Sequence, residues 1–362
     1  MSSLGGRRWT ALRLAVRRCL WGHSSAGAEG GRWEEFVDHG SAGSRSYAVY
    51  TPPGLRPGAA VPLVVVLHGC SQSARDAALG TEVNAYADRA GFVVVYPEQS
   101  AADNPQLCWN WFQPRHQARG SGEPAAIARI TERVLRGLDG VRLDHNRVHV
   151  MGLSAGGAMA GILAATYPDL YASAGIHSAP QFGAARSPMT ALLAMKSGGP
   201  DPERQGRRAY AAMGPRARVV PVMVIQGDSD RTVRAVNGDM VVRQWLTTSR
   251  LAGGQGPELD FARPDAGRSH EAAGRLTYEV RSWNDGTGRP VVRYWIVSDL
   301  GHAWSGGASA GSYTDSRGPS ATEAMCDFFG QTAMRPDDVV AGPLGRHTFS
   351  KARAWMIGVA GH

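Results

Sequence analysis

The pentapeptide Gly152-Leu153-Ser154-Ala155-Gly156 restricts the folds open to this chain more than any other feature. It follows the apolar run Val148-His149-Val150-Met151 and opens a small-residue stretch, Gly157-Ala158-Met159-Ala160, that reads as a helix start. A strand that turns into a helix around one serine leaves no room for side chains beside the turn. Only small neighbours let the chain bend sharply enough to hold the hydroxyl above a sheet, the arrangement called a nucleophile elbow. The chance alternative, a Gly-Ser-Gly loop, is disfavoured by the strand before it and the helix after it.

The surrounding pattern supplies the sheet. Pro62-Leu63-Val64-Val65-Val66-Leu67 and Phe92-Val93-Val94-Val95-Tyr96 are continuous β-branched runs, as expected of strands buried on both faces of a parallel sheet. Residues 45 to 52 alternate like an exposed strand. Further strands are expected at Ala172 to Ile176, Val222 to Gln226, Leu276 to Trp283 and Val291 to Val297, and Asp285-Gly286 makes the last two an antiparallel pair. Helical spacing covers residues 74 to 90, ending at Gly91, residues 124 to 138, and the segment from the elbow to Tyr167. The alternation predicts an α/β fold with a mostly parallel, doubly wound sheet and helices on both faces. The Gly-, Pro- and Arg-rich stretches 183 to 218 and 252 to 274 have no clear period and read as excursions over the carboxyl edge of the sheet, where such folds place their pockets. The expected organisation is a basic flexible leader over 1–40, one catalytic domain over 41–335 and a tail over 336–362.

The formal charge of +8 resembles a nucleic-acid signature until it is located. Five of those charges, Arg7, Arg8, Arg13, Arg17 and Arg18, lie in a leader that has no acid before Glu29. The remaining charge is thinly spread, so no nucleic-acid partner is expected. No run of 18 apolar residues exists, and no spanning helix is expected. The leader's apolar segment is broken by Arg13, which argues against a standard signal peptide; it suits a disordered tail or, alternatively, an arm touching a membrane surface. The cysteines, Cys19, Cys70, Cys108 and Cys326, include no Cys-x-x-Cys pair, and no His-rich cluster is present, so no metal is expected; the serine chemistry expected of the elbow uses no cofactor. Cys70 and Cys108 flank elements at the expected site edge and stand open between a disulfide and two free thiols.

A serine hydroxyl needs an imidazole to take its proton and a carboxylate to fix that imidazole's tautomer. In elbow folds these follow in the order serine, acid, histidine, each just past a strand. Gly227-Asp228-Ser229-Asp230-Arg231 follows one expected strand, and Ser298-Asp299-Leu300-Gly301-His302 follows another. Asp230, deeper in its turn, is the candidate acid, and Asp228 is read as the residue that caps the turn through its own backbone. His302 is the candidate base; its rival His177 precedes the acid in sequence and would break the order. The candidate oxyanion donors are the backbone N–H of Ala155 and that of Cys70 in the loop His68-Gly69-Cys70-Ser71-Gln72, with His68 bracing the loop.

Six motifs in this order carry a family resemblance. They are Leu67 to Gln72, Tyr96-Pro97-Glu98-Gln99, Cys108-Trp109-Asn110-Trp111-Phe112, the elbow, Gly227 to Val233, and Gly301-His302-Ala303-Trp304-Ser305-Gly306-Gly307. Over about residues 45 to 330 the chain resembles an esterase of the polyhydroxybutyrate depolymerase family, relatives of feruloyl and acetylxylan esterases with the α/β-hydrolase fold. The resemblance implies Ser154, Asp230 and His302 as a catalytic triad, Cys70 as an oxyanion donor, and frequent export. Gln226 departs from it, standing where many members carry histidine. Gln72, Trp109, Trp111 and Trp304 are the expected substrate contacts, against ordinary core packing for the tryptophans.

The expected activity is hydrolysis of esters of 3-hydroxyalkanoate oligomers through an acyl-enzyme on Ser154. The short stretch beyond Phe329 leaves no room for a polymer-binding module, which favours soluble or amorphous substrates. Feruloyl or acetyl esters of plant polysaccharide are the alternative substrates, and a non-catalytic binding protein on the same fold is the alternative class. Compartment, whether extracellular, periplasmic or cytoplasmic, and oligomeric state are not determined by these patterns.

Overall fold

The computed structural model describes residues 30–40, 43–253, 259–270 and 275–335. Ten strands form one sheet: β1 (Arg32–Gly40), β2 (Gly43–Thr51), β3 (Ala60–Leu67), β4 (Val93–Pro97), β5 (Arg142–Leu153), β6 (Ser173–His177), β7 (Val222–Gly227), β8 (Ala266–His270), β9 (Tyr278–Asn284) and β10 (Pro290–Val297). Their order is β1-β2-β4-β3-β5-β6-β7-β10-β9-β8. The six strands from β4 to β10 in that order run parallel, and an antiparallel pair extends each edge.

Successive side chains of a strand point to opposite faces, and here that alternation divides the core in two. Leu63, Val65, Val93, Val95, Val148, Val150, Val222 and Val224 pack under α3 (Gly122–Arg136), α4 (Ala155–Thr166), α6 (Pro202–Met213) and α7 (Val236–Gly253). Val64, Val66, Val94, Met151, Met223 and Ile225 pack under α1 (Ala74–Thr81), α2 (Val83–Ala90) and α8 (Ala321–Gly330). Every residue of α4 is buried, the state expected of a helix that is apolar all round.

Four expectations need correction. The strand β1 pairs with β2 from Arg32 to Gly40, so residues 32–40 belong to the sheet and not to a flexible leader; residues 1–29 and the tail 336–362 lie outside the described residues. The helix read over 74 to 90 is two helices, because Glu82 adopts a left-handed conformation, φ 55°, between them. The stretch 183 to 218 contains α5 (Pro188–Ser197) and α6. Its helical signal lay in the caps: Ser187 and Thr190 form a capping box, the Asp201 side chain accepts from Arg204 N, and a proline opens each helix. The stretch 252 to 274 carries the edge strand β8. The expected antiparallel pair is β9 with β10, turned at Asp285, whose carboxylate accepts from the Thr287 and Arg289 backbone.

A left-handed conformation costs a non-glycine residue about 1–2 kcal/mol, against about 0.5–1 kcal/mol of extra backbone entropy for glycine. Glu82→Gly is therefore expected to raise the urea midpoint, by about 0.5–1 kcal/mol of stability at unchanged slope; a lower midpoint would refute the assignment of strain to this joint.

Candidate active site

The elbow is built by backbone contact. A Cβ on Gly156 would sit 2.1 Å from the Leu67 carbonyl oxygen, and one on Gly152 would sit 2.5 Å from the Gly156 carbonyl carbon. With glycine at both positions the turn packs against the end of β3, and Ser154 is held at φ 57°, ψ −119°. Its N–H donates to the His177 carbonyl at 2.9 Å, tying the turn to the end of β6. Strain of this kind in a non-glycine residue persists only where the surrounding structure enforces it.

The loop after β3 surrounds one free donor. Gly69 N–H donates to Gln72 Oε1 at 2.7 Å, Ser71 N–H to the Gln106 carbonyl at 2.8 Å and Gln72 N–H to the Gly69 carbonyl at 3.4 Å. The Cys70 N–H has no partner among the described residues. Its direction follows from His68. The His68 ring lies with Nδ1 2.7 Å from the Gly69 oxygen and with Nε2 3.0 Å from the Gln99 N–H. An oxygen can only accept and an amide N–H can only donate, so the ring is the neutral tautomer protonated at Nδ1. Burial also favours the neutral form, lowering the His68 pKa to about 4. The Gly69 carbonyl and the Cys70 N–H share one planar trans peptide, so fixing the first aims the second the opposite way. The Ala155 N–H opens α4, where first-turn amides lack helical partners.

Cys70 is bonded to Cys108, which resolves the alternatives left by the sequence in favour of the disulfide. The segment carrying Cys108 is anchored by a residue that sequence reading passed over. The buried Glu123 carboxylate accepts from Asn110 N at 2.7 Å, Asn110 Nδ2 at 2.7 Å and Gln99 Nε2 at 2.6 Å.

The acid and base loops leave β7 and β10, strands paired at Gly227 and Val297. A Cβ on Gly227 would lie 2.1 Å from the Leu300 oxygen, so glycine permits this contact between the loops. Asp230 Oδ2 lies 2.7 Å from His302 Nδ1, while its Oδ1 accepts from Thr232 N at 2.8 Å and Val233 N at 2.9 Å. Gln226, the departure noted in sequence, donates from Nε2 to the Val233 carbonyl at 3.0 Å and reaches Asp230 Oδ2 at 3.5 Å. Burial would raise the Asp230 pKa, but the His302 hydrogen bond and charge and the two backbone donors prevail, holding it below the ordinary carboxylate value. Asp228 does not cap its own turn as read: its carboxylate accepts from Asp299 N at 2.8 Å and so staples the acid loop to the base loop. The Ser154 side chain makes no hydrogen bond among the described residues; such bonds are often long before substrate binds.

The rival His177 is buried and neutral, its pKa lowered to about 3 by burial and by the charge of His302. It is a joint between the elbow and the base loop, since its carbonyl takes the Ser154 N–H and its Nε2 takes the Ser305 N–H at 3.2 Å.

The expected substrate contacts are corrected. Trp109, Trp111 and Trp304 are 0%, 5% and 1% exposed. Trp109 Nε1 donates to the His68 carbonyl at 3.1 Å, and Trp304 stacks on His177 and donates to Thr322 Oγ1 at 3.1 Å; both belong to the packing beneath the site. Gln72 is buried with both ends of its amide engaged, Oε1 on Gly69 N and Nε2 on the Ser312 carbonyl at 3.0 Å, so it braces the loop. Among the described residues no group of three His, Cys, Asp or Glu could hold a metal ion, and no helix is long and apolar enough to cross a membrane.

Removing the bridge by Cys108→Ser is expected to cost about 2–4 kcal/mol of stability, read from denaturant midpoints. Alkylation of Cys70 and Cys108 should require reductant, and full labelling without it would exclude the bond. A lowered Asp230 pKa adds stability that is complete above the unfolded value of about 3.9 and is lost as pH falls through and below it. In Asp230→Asn that part of the acid-induced loss below about pH 4 should be missing from pH-dependent melting; an unchanged profile would contradict the pairing.

Residues 45–258 match the family described as Esterase PHB depolymerase. The chain is 30% identical over 260 residues to "Poly(3-hydroxyalkanoate) depolymerase C" of Paucimonas lemoignei, covering 70% of this chain and 57% of that protein. It is 31% identical over 193 residues to "Feruloyl esterase B" of Thermothelomyces thermophilus, covering 51% and 64% respectively. The chain thus spans less than two thirds of the length of either relative. Among solved structures the acetyl xylan esterase from Aspergillus awamori superposes with a TM-score of 0.64 at 20% identity, covering 83% of this chain and 99% of that one, a likeness of fold. The fold is that of the α/β-hydrolases, and the chain belongs to the Esterase PHB depolymerase family.

Proposed function

We propose that the chain is a serine carboxylesterase in which Ser154, His302 and Asp230 form the catalytic triad. One observation carries the reading: a carboxylate and an imidazole 2.7 Å apart stand on loops leaving the same sheet edge as a strained serine between two glycines. The Ser154 hydroxyl attacks the ester carbonyl carbon while His302 takes its proton. The buried Asp230 carboxylate fixes the imidazole with its proton on Nδ1 and stabilises the imidazolium that forms. The oxyanion is received by the N–H groups of Cys70 and Ala155. His302 then gives its proton to the departing alcohol, leaving an acyl-enzyme. Water, deprotonated by the same imidazole, releases the acid and restores the serine. The reaction needs no cofactor.

The substrate reading is esters of 3-hydroxyalkanoate oligomers, supported by the similarity to the Paucimonas depolymerase. Feruloyl or acetyl esters of polysaccharides are the second reading, favoured by the similarity to the Thermothelomyces feruloyl esterase. The Cys70–Cys108 bridge fits an oxidising compartment outside the cytosol.

Hydrolysis of p-nitrophenyl esters of graded acyl length by the wild-type protein and by Ser154→Ala is the test. The serine variant is expected to lose on the order of 10⁶ in turnover. Equal rates from the two proteins would end the serine mechanism. Hydroxybutyrate oligomers compared with methyl ferulate would then separate the two acyl classes.

A further inference from the structure

The burial of all three expected tryptophans leaves the site without the aromatic contact that the sequence promised, and the structure offers another. Tyr313 is 48% exposed, and among the described residues it is the only aromatic in the set of exposed large apolar side chains. Its ring stands edge-on to the His302 imidazole, centroids 6.4 Å apart. Its backbone is left-handed, φ 52°, a conformation that is a true outlier for a bulky residue. Hydrogen bonds from the neighbouring segments hold the loop on both sides. Trp304 N–H donates to the Tyr313 carbonyl at 2.7 Å, Ser312 N–H donates to Asp76 Oδ1 at 2.9 Å, and Gln72 Nε2 donates to the Ser312 carbonyl at 3.0 Å. Gln72 therefore ties the Tyr313 loop to the oxyanion loop, and Trp304 ties it to the base loop.

We infer that Tyr313 is a specificity-determining residue whose ring forms a wall for the alcohol side of the bound ester, favouring flat or apolar alcohol groups. The inference rests on the triad reading above. His302 must reach the oxygen of the departing alcohol to protonate it, so the group carried on that oxygen passes the imidazole, and the ring beside the imidazole is Tyr313. An aromatic held on a pinned, strained backbone contacts a ligand without having to be ordered on binding.

The test varies the alcohol at constant acyl group. Ethyl butyrate and benzyl butyrate are compared for wild type, Tyr313→Phe and Tyr313→Asn; asparagine tolerates the left-handed backbone, so folding is retained and is checked by melting temperature. The benzyl-to-ethyl ratio of kcat/KM is expected to fall about tenfold in Tyr313→Asn, the size of one aromatic contact, and to be kept in Tyr313→Phe. The ratio between ethyl acetate and ethyl octanoate, which varies only the acyl group, should stay as in wild type. An unchanged benzyl-to-ethyl ratio in Tyr313→Asn, or a change confined to the acyl series, overturns the inference while leaving Ser154-dependent hydrolysis standing. Hydrolysis that survives Ser154→Ala at the wild-type rate would overturn both.

Discussion

The site depends on backbone approaching backbone at the carboxyl edge of the sheet. At Gly152 and Gly156 the elbow lies against the end of β3, and at Gly227 the acid loop lies against Leu300 of the base loop, at separations no Cβ could occupy. These contacts set where Ser154, Asp230 and His302 leave the fold. The hydrogen bonds then refine the arrangement: Ser154 N–H on His177, Asp299 N–H on Asp228, and the imidazole of His302 on Asp230. Since protein interiors transmit strain rather than absorb it, the left-handed Ser154 is stable only because neighbours on both sides hold it.

Histidines near this edge illustrate how environment sorts one residue type into different tasks. His68 and His177 are buried, and burial keeps both neutral well below pH 7. Each is then a fixed arrangement of one donor and one acceptor: His68 aims the 69–70 peptide, and His177 joins the elbow to the base loop. His302 alone has a carboxylate at hydrogen-bond distance from Nδ1 and a partly exposed ring, 12% by side chain.

Much of this was legible in the chain. The elbow, the acid and base loops and the run of parallel strands announced themselves because each rests on local pattern: glycine where backbone must approach, β-branched runs where both faces are buried, and acidic or histidine residues just past a strand. The tryptophans misled because a motif places a residue in sequence without saying which way its ring points. Asp228 misled because its partner, Asp299, is 71 residues away. The helix α5 was hidden because Met189, Leu192 and Leu193 face solvent, so its apolar spacing marks no core. The strand β1 was hidden because it lies at the sheet edge and only Asp38 of its residues is buried, so its pattern marks no core.

By itself, then, the sequence determined the α/β class and the order of the parallel strands whose following loops carry Ser154, Asp230 and His302, since these follow from short-range sterics and strand periodicity. Only the tertiary structure decided that Cys70 and Cys108 are joined, that Asp228 bonds the base loop at Asp299, and that the three expected tryptophans are buried. Each of those outcomes depends on where two distant segments come to lie, and that is settled by packing across the whole sheet.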